Sequence, residues 1–125
     1  MPMDTPEEIR AFLIDSFKKH VPPLKINKDN PSVFEVGGTK PVMQGKQKVD
    51  GHYVGSVVLK PKDARLYFFP IYTHPNAFLS ISPELRKCLH GKSCFHFKKT
   101  SIELRKEIES MIGQGVSLYI DAGLI

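Results

Sequence analysis

Cysteine is scarce: Cys88 and Cys94 are the only two in 125 residues. Two are too few for a disulfide framework, and both are expected as free thiols in a reducing cytoplasm. Long apolar runs are missing as well, which excludes a membrane-spanning helix. The opening Met1-Pro2-Met3-Asp4-Thr5-Pro6-Glu7-Glu8 is acidic and broken by proline, unlike a secretory signal. No five basic residues stand in a row, which argues against nucleic acid as a partner. G-x-S-x-G, H-E-x-x-H and G-x-G-x-x-G are all absent, removing the usual signatures of hydrolases, zinc proteases and dinucleotide enzymes. What is present is ordinary globular material, 41% hydrophobic, 25% charged and 10% aromatic. The length suits one domain over residues 1–125, large enough to bury a core without covalent staples.

The net charge of +5 is unevenly placed. Residues 40–65 hold six basic side chains against two acidic, and residues 86–99 hold Arg86, Lys87, Lys92, Lys98 and Lys99 with no acid. Concentrated positive charge favours a small anionic ligand or an acidic partner, although solvated lysines also serve solubility alone.

Local chemistry predicts the elements. Thr5, Pro6 and Glu8 form a helix-opening signature, and Ile9, Phe12, Leu13 and Phe17 repeat at helical spacing until Pro22-Pro23 ends the helix. A polar connector is expected to about residue 32. Val33–Val36 reads as a strand before the Gly37-Gly38 turn, and Pro41–Met43 as another short strand before a turn region from Gly45 to Gly51. Tyr53–Leu59 and Ala64–Phe69 read as a hairpin across Lys60-Pro61-Lys62-Asp63, and Pro70 ends its second strand or marks an edge. Ser82-Pro83-Glu84 opens a helix that Gly91 stops. Ser93–Lys98 alternates like a half-buried strand. Thr100 and Glu103 cap a last helix that Gly113 and Gly115 end, leaving Val116–Ile120 as an apolar tail. The shared S-x-E-L-R-K at Ser82 and Ser101 reflects common helix-opening chemistry.

This order predicts an α+β domain, a mainly antiparallel sheet with helices packed on one face. The other face is then free for a ligand or a second copy of the chain. Alternation puts Phe95 and Phe97 in the core and Cys94, His96 and Lys98 away from it. One of the pairs Leu66/Phe68 and Tyr67/Phe69 must also lie outside.

Leu66-Tyr67-Phe68-Phe69-Pro70-Ile71-Tyr72, Ser82-Pro83-Glu84-Leu85 and Gly91-Lys92-Ser93-Cys94-Phe95-His96-Phe97 resemble the YdhG-like family of small bacterial domains. The resemblance is strongest from Gly55 to Gly115, and Gly-Lys-Ser-Cys-Phe is its most specific part. It implies an α+β fold with a frataxin-like outline and supplies no established catalytic residue. Iron carriage follows only by analogy with frataxin. Frataxin-type sites use clustered acids, whereas the first helix offers only Asp4, Glu7, Glu8 and Asp15.

Cys88, His90, Cys94 and His96 form C-x-H-x3-C-x-H, a donor set that suits zinc. On a helix, Cys88 and His90 are about 200° apart and cannot both face Cys94 and His96, which share a strand face, unless the helix frays. The metal reading therefore rests on Cys94 and His96. Cys94 is also a candidate nucleophile, with Lys92 and Lys98 favouring thiolate and His96 as base. Gly91-Lys92-Ser93 ends like a P-loop, but Arg86 stands where the earlier glycine belongs, and a helix precedes the string. The pole of the last helix, beside Lys98 and Lys99, suits a phosphate or carboxylate unless Thr100 and Glu103 satisfy its amides.

The resulting expectation is a non-enzymatic module that binds a small anionic or aromatic ligand on the open sheet face. Tyr67, Tyr72, His74, Lys92, His96 and Lys98 are its candidate contacts. The alternative is an iron or zinc carrier, or a thiol enzyme, centred on Cys94 and His96. No cofactor is identified from the sequence.

Overall fold

A computed structural model describes residues 5–125. The acidic residue Asp4 lies outside them. Helix α1 (Pro6–Lys18) begins where Thr5 Oγ1 accepts the Glu8 amide at 3.2 Å, and the Glu8 carboxylate accepts the Thr5 hydroxyl at 2.9 Å. Its stripe of Ile9, Leu13 and Phe17 is wholly buried, each side chain contributing about 1.5–3 kcal/mol of burial free energy. The helix ends at Lys18, a turn before the two prolines expected to stop it.

The strands are β1 (Lys25–Asp29), β2 (Val33–Gly37), β3 (Val42–Gln44), β4 (Gln47–Val49), β5 (Tyr53–Leu59), β6 (Ala64–Phe68), β7 (Leu89–His90) and β8 (Cys94–Phe97). Six of them form one sheet in the order β1-β2-β5-β6-β8-β7, and every pairing is antiparallel. The β3–β4 hairpin stands apart. It falls partly in the segment expected to be a turn, with Gly45 at φ 62° at its tip.

Helices α2 (Pro70–Thr73), α3 (Pro83–Lys87) and α4 (Ile102–Asp121) follow, with a 3-10 turn at Pro75–Phe78 after α2. α1 packs on β5, β6 and α4, while α4 packs on α2 and α3. This is the α+β architecture expected. Across the helix-covered face, Phe34 pairs with Val57, Val57 with Leu66 and Leu66 with Phe95, and all four are buried.

Four local expectations are corrected. The polar connector contains β1, an edge strand whose only partly buried residue is Ile26, so it has no apolar alternation to read. Of the two alternatives for Pro70 the first holds: β6 is an interior strand, and Pro70 marks its end and the start of α2. Gly91 does not stop α3, which ends at Lys87; Gly91 turns β7 into β8 at φ 74°. Ser101, not Thr100, caps α4 by accepting the Leu104 amide at 3.1 Å. Finally, α4 runs through Gly113 and Gly115, so Val116–Ile120 belongs to the helix, with Val116 and Tyr119 buried. A Cβ on Gly115 would lie 2.5 Å from Phe68 Cζ and 2.9 Å from Pro70 Cγ; this glycine allows close approach to the sheet.

Candidate ligand face

The uncovered face follows from the same alternation. Glu35, Ser56, Tyr67 and Cys94 stand opposite one another across β2, β5, β6 and β8, and Val58, Arg65 and His96 form the adjacent row. All are half-buried except Ser56, which is buried on the central strand. Here Leu66 and Phe68 face the helices and Tyr67 faces outward. Phe69 lies past the strand end and packs against His52, Tyr53 and Tyr72.

The outer face carries separate groups of polar contacts. The β2–β5 register shifts between Val36 and Gly37, and the Tyr53 hydroxyl sits 2.7 Å from Ser56 Oγ. Burial, opposed by that hydrogen bond, pushes the Tyr53 phenol up to about 12. Tyr67 stands opposite Cys94, and its pKa rises through burial and the nearby Cys94 thiol. Arg65 Nε donates to Asp63 Oδ1 at 3.0 Å, and Asp63 Oδ2 is 3.9 Å from His96 Nδ1. The His96 ring stacks on His90 with centroids 4.0 Å apart and planes 11° from parallel. Burial first, then the charges of Arg65 and His90, lower the His96 pKa. Asp63 acts in the opposite direction.

The His90 position corrects the helical-spacing argument. Because α3 stops at Lys87, His90 lies on β7 directly opposite Cys94, on the same side as His96. Among the described residues, no group of three or more His, Cys, Asp or Glu is arranged to hold a metal ion. Cys94 also departs from the activated thiol that the nucleophile alternative requires. Burial raises its pKa above the ordinary thiol value, outweighing the Tyr67 hydrogen bond and the Arg65 charge.

The six candidate ligand contacts do not form one cluster. Tyr67 and His96 lie on the sheet face. Lys98 lines a pocket of about 350 Å³ with Lys60, Lys62, Asp63 and Arg65, where the β5–β6 turn meets that face. Tyr72 and Lys92 stand together elsewhere, with Lys92 Nζ 5.6 Å from the Tyr72 ring centroid. His74 follows α2; its Nδ1 is 2.9 Å from Thr73 Oγ1, which lies 2.7 Å from the Tyr119 hydroxyl. It belongs to helix packing around Tyr119.

Arg65, Asp63, Tyr53 and Ser56 were not among the sequence candidates. Arg65 shares Tyr67's strand parity, so alternation alone points to it. Asp63 is revealed only by the folded turn, which also hides its carboxylate.

Buried His52 adds a pH dependence. Its Nδ1 hydrogen-bonds the Tyr53 carbonyl at 2.8 Å, and its ring packs edge-on to Tyr119 with centroids 4.8 Å apart. Burial is the main cause of its lowered pKa. A pKa lowered by folding contributes stability that is complete above the unfolded value of 6.5 and is lost as pH falls below it. His96 shifts in the same direction. Thermal unfolding is therefore expected at lower temperature as pH drops from neutral towards 5, with His52→Leu flattening part of that fall. Differential scanning calorimetry of both proteins across that range checks it.

No helix among the described residues is long and apolar enough to cross a membrane. Comparison with protein-family models, curated protein sequences and solved structures gave no match.

Proposed function

We propose that this domain is a non-enzymatic binding module of the YdhG-like type. It holds a small ligand with a planar ring and an anionic group on the open face of its sheet. The observation that carries this reading is the junction at Arg65. On one side lie the half-buried rings of Tyr67 and His96, with the exposed His90 ring stacked on His96, and on the other lies the cation-lined pocket of Lys60, Lys62 and Lys98. Asp63, the one acid in that pocket, is already engaged by Arg65. Positive charge is thus left for a ligand phosphate or carboxylate, while the rings offer stacking area. Cytoplasmic placement belongs to the same proposal.

Phenyl phosphate is the test ligand. At a free concentration a hundredfold above its Kd it would stabilise the fold by about 2.7 kcal/mol, visible as a higher melting temperature. Lys98→Ala and Tyr67→Ala should each abolish most of that shift, while Lys28→Ala on the far edge strand should retain it. Unchanged melting at millimolar ligand, or equal shifts in all variants, would refute the reading. The alternative of an iron or zinc carrier or thiol enzyme draws support from the juxtaposition of His90, Cys94 and His96, but the raised Cys94 pKa opposes thiolate chemistry. Elemental analysis of untagged protein and thiol titration against pH discriminate it.

A further inference from the structure

The position of Tyr72 and Lys92 points to a second site. Between α2, the 3-10 turn, α3 and the β7–β8 turn lies an open groove of about 370 Å³. Ile71, Leu79 and Leu89 give it an apolar lining, and Tyr72 forms an aromatic wall. Tyr72 and Leu79 are 49% and 71% exposed, so large apolar surface faces solvent here. Arg86 and Lys92 also line the groove, and among the described residues no acidic side chain does. Arg86 Nη2 donates to the Phe78 carbonyl at 2.9 Å, a bond that anchors the guanidinium without neutralising it. Lys92 rests over the Tyr72 ring. Among the described residues, neither cation has a carboxylate partner.

We propose that this groove binds a small-molecule carboxylate with an apolar body, such as an arylacetic acid, independently of the sheet face. Arg86 and Lys92 take the carboxylate, as charge complementarity requires. Leu79 and Leu89 take the body, with the Tyr72 ring against its flank. A neutral apolar molecule would leave both cations without a counter-charge. A bare anion would gain little at so exposed a site, where ion pairing alone is weak.

The experiment is a titration of nitrogen-15-labelled protein with phenylacetate, followed by the backbone amides of Tyr72, Leu79, Gly91 and Lys92. These resonances should move saturably at millimolar ligand, whereas 2-phenylethanol and acetate should each bind at least tenfold more weakly. Lys92→Ala and Leu79→Ser both alter exposed side chains, so the fold is retained, and each should weaken phenylacetate at least tenfold. Tyr67→Ala should leave this binding unchanged, separating the groove from the sheet face. The proposal is overturned if these amides do not respond, if the neutral analogue binds equally well, or if Tyr67→Ala removes the response. It is also overturned if native mass measurement finds a dimer that Leu79→Ser dissociates, since the groove would then be covered by a second copy.

Discussion

Gly115→Leu is expected to destabilise the domain by about 3 kcal/mol, the upper part of the usual range for overpacking. The added side chain must enter space held by Phe68 and Pro70, which stand 2.5 and 2.9 Å from where its Cβ would lie. Phe68 is fully buried and packs edge-on against Phe78 with centroids 5.5 Å apart, so its ring cannot swing into solvent. Gly113, two residues earlier in the same helix, has among the described residues only the His20 ring nearby, at 3.8 Å. Gly113→Ala should therefore stabilise by roughly 0.5–1 kcal/mol, the difference in helix propensity. Urea unfolding of the two variants measures both signs. Equal behaviour would mean that α4 ends before Gly115.

Phe95→Ala should cost about 3–5 kcal/mol. Phe95 is fully buried, pairs with Leu66 on one side and Leu89 on the other, and lies parallel to Phe97 with centroids 6.0 Å apart. Its neighbour His96 points to the other side of the same strand, and His96→Ala should change stability by less than about 1 kcal/mol. This contrast between adjacent residues is the energetic signature of a sheet covered on one face. Denaturant melts of the two variants read it directly, and a comparable loss from His96→Ala would place that residue inside a second core.

The parts of the fold legible in the sequence carry strong local signals. α1 has both a cap and an apolar stripe, β5 and β6 flank a polar turn, and β8 alternates cleanly. β1 escaped because an edge strand with one partly buried residue has no period-two apolar pattern. The end of α4 was misplaced because glycine serves two purposes. It can stop a helix through its backbone freedom, or, as at Gly115, admit a neighbouring ring. His90 was misplaced because five residues of α3 suffice before the chain turns, and a short strand follows.

The candidate site was legible by face but not by grouping. Strand parity put Cys94 and His96 on one face but left open which residues of the neighbouring strand join them, and the register places Tyr67 there. It carried no information on how the β5–β6 turn brings Lys60, Lys62 and Asp63 beside Lys98, because those contacts cross from one hairpin to another strand. Tyr72 and Lys92 meet because α2 follows β6 immediately and the β7–β8 turn returns to it, a matter of topology rather than periodicity.

The most direct test of the binding-face account is an NMR titration of the labelled full chain with phenyl phosphate. The account predicts saturable shifts concentrated at Arg65, Tyr67, Cys94, His96 and Lys98, with the helix-facing residues little moved. A saturable response confined to other surfaces, or no response on β6 and β8 at millimolar ligand, would contradict it.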